Sequence, residues 1–98
     1  MMWRIKIHSL VYEEDFKSLS LFQQKIILDA IAKKLSLDPK AYGKPLREEF
    51  AGFWRLRVGD YRVVYQIFEK QIVVYVVKVG IRKDDRIYKE LFLRLRKL

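Results

Sequence analysis

Residues 53–68, FWRLRVGDYRVVYQIF, constrain the fold of this chain more than any other stretch. Apolar and aromatic side chains alternate with other side chains on both sides of Gly59 and Asp60, and this alternation has the period of a β-strand. Two residues are the favoured length for the turn of a β-hairpin. The pattern therefore predicts strands at 53–58 and 61–68 that are joined by a tight turn.

Three arginines interrupt this hairpin. The predicted register places Arg57 opposite Arg62 and Arg55 opposite Val64, so that the three guanidinium groups share one face of the sheet. Like charges that lie opposite each other destabilise a sheet, whereas guanidinium groups bind phosphate through parallel hydrogen bonds and keep their charge. We interpret the arginine face as a site for an anion; the alternative is a set of solvent-facing arginines without a ligand.

The first part of the chain predicts one strand and two helices. Residues 2–8 alternate as a half-buried strand does, and residues 9–19 form a short helix that Ser9 can cap. A second helix over residues 20–37 begins with a capping box at Ser20. Its apolar stripe is assigned to the core and consists of Phe22, Ile26, Ile27, Ala30, Ile31 and Leu35.

The second part predicts a loop, the hairpin, another strand and a helix. Residues 39–52 contain both prolines and two glycines, which is typical of a loop. The strand at 71–79 is apolar on both faces, so both faces need a cover. The amphipathic helix over 84–98 or a partner protein can provide the second cover. Residues 1–98 therefore form one α+β domain with helices beside a sheet.

The charge is concentrated in one half of the 98-residue chain. Residues 1–52 carry a net charge of +2 and residues 53–98 a net charge of +7, which favours a polyanionic partner. The alternative is the solvated charged surface of a protein from a warm habitat. With no Cys and a single His, neither a disulfide nor a metal site is expected, and no cofactor is predicted. The lack of a spanning apolar run or signal core predicts a cytoplasmic protein that does not enter a membrane.

Two stretches, GKPLREEFAGFWRLRVGDYRVVYQI at 43–67 and VGIRKDDRIY at 79–88, resemble the RelE/ParE superfamily of toxin–antitoxin toxins. The resemblance covers roughly residues 2–90. It implies a RelE-like fold, with a four-stranded, mainly antiparallel sheet, an N-terminal helical hairpin on one face and a C-terminal helix. RelE-like members cut messenger RNA in the ribosomal decoding site, whereas ParE-like members lack the catalytic set and poison DNA gyrase.

The resemblance implies a catalytic set of Arg55, Arg57, Arg62, Arg82 and Tyr88. The implied reaction is attack by a ribose 2′-OH on the adjacent phosphate, which leaves a 2′,3′-cyclic phosphate and a 5′-OH. The arginines would stabilise the charge of the phosphorane. A guanidinium is a poor base, so Tyr88 is the candidate for proton transfer, because clustered positive charge favours its phenolate.

The resemblance also implies partners, namely the ribosome with its messenger RNA and a cognate antitoxin. We expect the antitoxin helix to lie near the strand at 71–79 and the tail, either in a groove or in place of the tail. The alternatives are a ParE-like gyrase poison and a decayed toxin that only binds its antitoxin. The basic residues predicted to bind RNA are Lys78, Lys83, Arg86, Lys89, Arg94, Arg96 and Lys97.

Overall fold

The structure, a computed structural model, describes residues 2–81 and 86–98. The strands are β1 (Arg4–Ile7), β2 (Lys44–Pro45), β3 (Phe53–Val58), β4 (Tyr61–Phe68) and β5 (Val73–Ile81). The helices are α1 (Ser9–Glu13), α2 (Leu21–Ala30), α3 (Pro39–Tyr42) and α4 (Arg86–Leu95), with 3₁₀ turns at Asp15–Ser18 and Glu48–Phe50 and a π-helical turn at Ile31–Leu35 that continues α2. The strands form one sheet in the order β1-β5-β4-β3-β2, which confirms the α+β class.

The β3–β4 hairpin has the predicted bounds and register. Arg57 lies opposite Arg62 and Arg55 lies opposite Val64, which confirms that the three arginines share a face. Gly59 in the turn has a φ of 57°, in the left-handed region that glycine adopts without steric cost. The local pattern of alternation and turn is therefore sufficient to set this part of the sheet.

Strand β5 lies between β1 and β4 and joins the two ends of the chain. It pairs antiparallel with β4, where Gly80 lies opposite Arg62 and Lys78 lies opposite Val64, with a bulge after Val64. It also pairs in parallel with β1. The strand covers residues 73–81 rather than the predicted 71–79. The sheet is mainly antiparallel, as predicted, with one parallel pair.

The sheet has five strands rather than the predicted four. The added strand is β2, in which Lys44 lies opposite Arg55 and Pro45 opposite Trp54. Proline fits only at a sheet edge, where β2 lies, because it cannot donate a ladder hydrogen bond. Two residues carry no readable period, so the sequence predicted only a loop over 39–52.

Helices α1 and α2 cover one face of the sheet, as predicted for the helical hairpin. Ile27, Ile31 and Leu35 face the sheet at steps of four residues and are buried. Phe22 and Ile26 were assigned to the core, and that assignment is wrong, since they are 73% and 46% exposed. The buried stripe of this helix is therefore narrower than the apolar stripe that its sequence predicts.

Helix α4 covers part of the opposite face and builds a second core. Ile87 and Leu91 from α4 pack in one buried cluster with Val64 and Val77 from the sheet. Gly80 lies close to Ile87, where a Cβ atom at position 80 would come within 3.0 Å of the Ile87 side chain. The expected cover of the doubly apolar strand by the C-terminal helix is confirmed.

The first turns of the two N-terminal helices differ in how they are capped. The capping box at Ser20 is present as predicted. His8, rather than Ser9, caps α1, because its Nδ1 accepts a hydrogen bond from the backbone N–H of Leu10 at 3.0 Å. The predicted helix over 9–19 is divided into α1 and a 3₁₀ turn.

The described helices are short. Helices α2 and α4 span 10 residues each, whereas crossing a bilayer requires about 20 apolar residues. In the part of the chain that the structure describes, no helix has the length and apolar character for a membrane span.

A buried carboxylate, that of Asp15, connects the 3₁₀ turn after α1 with β5 and α4. Its side chain is 1% exposed and accepts hydrogen bonds from Lys78 Nζ at 2.7 Å, Arg94 Nη2 at 2.8 Å and the backbone N–H of Val79 at 2.9 Å. Arg94 also donates to the carbonyl of Val77 at 3.1 Å. These contacts satisfy the edge of β5 beyond the end of β1, which would otherwise expose unpaired backbone groups.

The same contacts involve two residues, Lys78 and Arg94, that the sequence predicted to bind RNA. Lys78 and Arg94 are only 6% and 4% exposed, and carboxylates neutralise both of them within the chain. Burial alone would lower the pKa of Arg94, but the hydrogen bonds and charge of Asp15, followed by those of Glu14, outweigh burial and raise it. We therefore assign Lys78 and Arg94 to the fold and not to RNA, because a buried, paired cation is not available to a polyanion.

The ion cluster predicts that Asp15→Asn lowers the free energy of unfolding by about 3–5 kcal/mol, because the change leaves two buried cations without their shared carboxylate. Urea unfolding of the purified chain measures the loss. Glu14→Gln is the matched control, since Glu14 pairs with Arg94 from a half-exposed position and its removal should have a far smaller effect. Equal midpoints for the two variants would contradict the central role of Asp15.

The contact between α3 and β4 predicts a second change in stability. The Tyr65 hydroxyl donates to the carbonyl of Pro39 at 2.6 Å, and burial raises the pKa of that hydroxyl. A Cβ atom at Gly43 would overlap the Tyr65 hydroxyl, so Gly43→Ala should cost on the order of 2 kcal/mol by breaking this buried hydrogen bond. In a Tyr65→Phe background the same change should cost less. Urea unfolding of the four proteins tests this coupling, and additive losses would count against it.

Candidate functional site

An open groove of about 430 Å³ lies on the face of the sheet that α4 partly covers. The groove runs between the segment that links β2 to β3, the β3–β4 hairpin and α4. The described side chains that line it are Pro45, Leu46, Arg47, Phe50, Arg55, Arg62 and Tyr88. Three of these are arginines and none of these described residues is acidic, so the groove is suited to an anion.

A contact between Arg62 and Tyr88 lies at the centre of this lining. Arg62 Nη1 donates a hydrogen bond to Tyr88 Oη at 3.0 Å, and the guanidinium carbon lies 5.7 Å from the centre of the Tyr88 ring. Arg62 Nε is buried and has no hydrogen-bond partner among the described residues. Two of the residues predicted to be catalytic, Arg62 and Tyr88, are therefore in contact, and the buried Nε–H of Arg62 is not used as a donor in that contact.

Phe50 also packs against the Tyr88 ring. The two ring centres lie 6.0 Å apart with an angle of 31° between the ring planes, within the range of favourable aromatic pairs. Phe50 itself belongs to the buried cluster beneath α4. Tyr88 therefore contacts both a guanidinium group and a core side chain, and it lines the groove.

Arg55 and Arg57 occupy different positions relative to the groove. Arg55 lines it and is half-buried, whereas Arg57 is exposed beside Arg62 and is outside the described lining. No carboxylate within residues 2–81 and 86–98 lies within salt-bridge distance of Arg55, Arg57 or Arg62. The charge of the three arginines is therefore not neutralised by the described part of the chain.

Two further cations on this surface, Arg47 and Lys44, were not predicted from the sequence. Arg47 lines the groove from the loop, and Lys44 lies directly opposite Arg55 on β2. Both belong to the stretch GKPLREEF, in which the predicted loop gave no information about side-chain direction. Their position on this surface could have been predicted from their proximity in sequence to the hairpin, if a strand at Lys44 had been recognised.

The basic residues of the tail do not form one patch. Lys89 borders an apolar pocket beside Tyr88, whereas Arg86 borders a separate cavity between α4 and the edge of β5. The guanidinium carbon of Arg96 lies 5.8 Å from the ring centre of Phe92. Lys97 is exposed but lies 3.3 Å from Glu14. Two further predicted residues, Arg82 and Lys83, lie outside the described residues.

The groove has the chemical groups for binding and protonating a phosphate ester. Guanidinium groups donate paired hydrogen bonds to phosphate oxygens, and several of them surround the same space. The Tyr88 oxygen accepts from Arg62, so its own hydrogen remains available to a ligand. Among the described residues, no group of three or more His, Cys, Asp or Glu side chains could hold a metal ion.

Two curated relatives match part of the chain. Toxin RelG of Mycobacterium tuberculosis is 42% identical over 50 residues, which cover 51% of this chain and 58% of that protein. The mRNA interferase toxin RelE of Escherichia coli is 39% identical over 41 residues, which cover 42% of this chain and 43% of that protein. The matched region thus spans about half the length of these relatives.

Solved structures match the fold over most of the chain. A chain of the toxin–antitoxin complex RelBE2 from Mycobacterium tuberculosis has a TM-score of 0.79 and 27% identity, and the match covers 86% of this chain and 95% of that one. A chain of the archaeal RelE–RelB complex from Pyrococcus horikoshii has a TM-score of 0.60 and 25% identity, and covers 85% and 98%. These neighbours confirm the RelE-like fold.

A family model supplies the assignment of the chain as a whole. The model is described as the ParE toxin of the type II toxin–antitoxin system parDE, and it matches residues 5–86. That range includes the helical hairpin, the arginines of the groove and all of the sheet except Arg4, the first residue of β1. On this match the chain belongs to the ParE toxin family of type II toxin–antitoxin systems, within the RelE/ParE superfamily.

Proposed function

We propose that this toxin is a ribosome-dependent endoribonuclease that cleaves messenger RNA in the decoding site. The observation that carries the proposal is the hydrogen bond between Arg62 and Tyr88 within a groove lined by arginines. Cations bind and neutralise a phosphate, and the adjacent phenol can supply a proton. The proposed catalytic set keeps the predicted residues Arg55, Arg57, Arg62, Arg82 and Tyr88, although Arg82 is outside the described residues.

The proposed reaction is an internal transesterification. The ribose 2′-oxygen forms a bond to the adjacent phosphorus, the bond from phosphorus to the 5′-oxygen breaks, and a 2′,3′-cyclic phosphate and a 5′-OH result. Arg55 and Arg62, joined by Arg47, hold the non-bridging oxygens and stabilise their added negative charge. Tyr88 donates its proton to the leaving 5′-oxygen, and the proton of the 2′-OH passes to water.

The composition of this groove supports the proposed dependence on the ribosome. Its described lining has neither a His nor a carboxylate that could act as a strong base at neutral pH. A site of this kind gains most from a substrate whose 2′-OH and phosphate are already aligned, since alignment alone can contribute several kcal/mol. The exposed residues Arg86, Lys89, Arg96 and Lys97, with Lys83, would hold ribosomal RNA through its phosphates.

The names of the relatives support cleavage of RNA. The Escherichia coli relative is named an mRNA interferase, and it shares 39% identity with the matched part of this chain. The structural neighbours are chains of complexes with antitoxins. We therefore also propose a cognate antitoxin, and the exposed Phe92, Leu93 and Leu98 at the end of the chain provide an apolar surface for its helix.

A second candidate is a ParE-like poison of DNA gyrase. The description of the matching family model, a ParE toxin, favours it. The fold is shared by both kinds of toxin and does not discriminate between them. The contact between Arg62 and Tyr88 favours the nuclease, because a protein that acts only by binding needs no proton donor beside an anion site.

The nuclease proposal predicts loss of cleavage when either member of the central contact is changed. Arg62→Ala should lower the cleavage rate on the order of 10²-fold or more, and Tyr88→Phe by at least about 10²-fold, because one removes charge stabilisation and the other a proton donor. Each form is induced in cells, and RNA 5′ ends are mapped for cuts in phase with codons.

Tyr42→Phe is the matched control for the loss of a hydroxyl, because Tyr42 is exposed on α3 and does not line the groove. It should cleave like the parent protein. DNA breaks without RNA cuts would favour the gyrase poison, and cuts that persist in both Arg62→Ala and Tyr88→Phe would refute the assigned site.

The geometry also predicts unequal roles for the two arginines of β3. Arg55→Ala should slow cleavage by purified ribosomes and toxin at least about tenfold more than Arg57→Ala, because Arg55 lines the groove and Arg57 is exposed beside it. Both changes remove one charge from the same strand, so each controls for the other. The measurement is the single-turnover rate on a programmed ribosome, and equal losses would contradict the placement of the substrate phosphate.

A further inference from the structure

A second basic and aromatic surface lies at the opposite edge of the sheet, and we name it the β1-edge groove. It has a volume of about 590 Å³ and lies between β1, the first turn of α1 and the end of β4 that approaches β5. Its polar and aromatic lining consists of Arg4, Lys6, His8, Ser9, Phe68, Gln71 and Tyr75. The described lining contains no acidic residue, and neither the reaction nor the antitoxin surface proposed above uses it.

The two cations of this groove are aligned by strand geometry. Arg4 and Lys6 are two positions apart on β1, with Ile5 between them, so they point to the same face of the sheet. Both are exposed, and no carboxylate within residues 2–81 and 86–98 pairs with either of them. Lys78, near the middle of the sheet, is by contrast buried and paired. The side chains of Arg4 and Lys6 are therefore available to bind an anionic ligand.

Aromatic rings stand beside these cations. Tyr75 lies opposite Lys6 in the β1–β5 register, and the His8 and Tyr75 ring centres are 5.9 Å apart at an angle of 45°. His8 uses Nδ1 to cap α1, so in the neutral ring the proton is on Nε2, which is left to donate to a ligand. Phe68 is 40% exposed at the end of β4, although a side chain of its size is usually buried.

Flat rings beside unpaired cations are the combination that binds single-stranded nucleic acid. The rings stack with exposed bases, and the cations hold the flanking phosphates. Duplexes fit this surface poorly, because their bases are already stacked on each other and cannot stack on the aromatic rings. An acidic peptide would use Arg4 and Lys6 but gains less from the exposed ring of Phe68.

The β1-edge groove and the candidate active site lie on the same face of the sheet. Lys6 is opposite Tyr75, which belongs to the core cluster beneath α4, and that cluster also contains Val64 next to Arg55. Helix α4 therefore lies over the sheet between the two basic regions. Strands are spaced about 4.8 Å apart, so β1 and β4 are about 10 Å apart, and one RNA molecule can contact both regions.

We propose that the β1-edge groove binds an unpaired nucleotide of RNA outside the cleavage site, with a base on Phe68 and Tyr75 and phosphates on Arg4 and Lys6. The inference deepens the proposed function and rests on it, because it names a second contact through which an RNA-cleaving toxin holds RNA. The groove would raise affinity for RNA without taking part in bond cleavage.

The test measures binding apart from cleavage. The full-length chain with Arg62→Ala, which prevents cleavage during the assay, is titrated with a fluorescent 12-nucleotide single-stranded RNA at several salt concentrations. Adding Arg4→Ala and Lys6→Ala should weaken binding at least about tenfold and reduce the slope of log affinity against log salt by about 1.4, since each lost phosphate contact contributes about 0.7.

The control removes the same charge from the other side of the molecule. Lys25 and Lys33 are exposed on α2 and its π-helical extension, and changing both to alanine should leave affinity within about twofold of the parent. Equal losses for the two double variants would overturn the proposal, because net charge alone would then explain binding. Failure of the parent protein to bind the RNA would overturn it as well.

The contribution of stacking is tested at Phe68. Phe68→Ala should weaken binding of the single-stranded RNA about fivefold or more, Phe68→Tyr should restore it, and binding of a duplex RNA should change little. An equal loss on the duplex would overturn base stacking as the mode of recognition. Stronger competition by a poly-glutamate peptide than by RNA of equal charge would identify an acidic protein as the ligand and also overturn the proposal.

Failure of this inference can be told apart from failure of the proposed function. If the β1-edge groove is not an RNA site, the Arg4 and Lys6 variants bind RNA normally while ribosome-dependent cleavage by the parent protein persists. If the toxin is not a nuclease, cleavage is absent while the binding loss at Arg4, Lys6 and Phe68 remains. The binding and cleavage assays therefore report on different claims.

Discussion

The buried carboxylate of Asp15 is the interaction on which the arrangement of this molecule depends. It receives hydrogen bonds from Lys78 on β5, Arg94 on α4 and the backbone of β5, so one charge connects the N-terminal helices, the sheet and the last helix. Without Asp15, each of these buried cations would keep only a partly exposed carboxylate, Glu90 beside Lys78 and Glu14 beside Arg94, so both charges would be poorly compensated in the interior. Tyr88 is carried by the same α4, and its place beside Arg62 therefore depends on contacts made elsewhere on the helix.

The cluster around Asp15 also shows that the cations of the chain are of two kinds, those paired in the interior and those accessible at the surface. Lys78 and Arg94 lie inside and are neutralised, whereas the arginines of the hairpin and the cations of β1 remain exposed or half-buried without a described carboxylate partner. Neutralised cations stabilise the fold, and unpaired ones create the field that attracts a polyanion. The net charge of +9 therefore does not indicate which cations a partner can contact.

The hairpin was predictable to the residue because alternation and a two-residue turn are both local signals, and together they determine which side chains face each other. Strand β2 was not predictable, because two residues within a loop are too few to show a period.

The pairing of Lys78 and Arg94 with Asp15 was not predictable either, since these contacts join residues 63 and 79 positions apart. In a sequence, a basic residue looks the same whether or not it is paired. Arg47 was missed for a related reason: its direction depends on how the loop packs against the sheet. The contact between Arg62 and Tyr88 matches the set that the resemblance suggested, but its geometry came only from the fold.

The order of elements along the chain also determines when the groove is assembled. The hairpin closes over a few residues, whereas α4 is positioned by contacts with residues far away in the sequence, among them Asp15, 79 residues before Arg94, and contacts of high sequence separation are slow to form. A chain that is still being synthesised can already present Arg55 and Arg62, but it cannot yet place Tyr88 beside them. The groove is therefore completed only after α4 has been synthesised and has docked on the sheet.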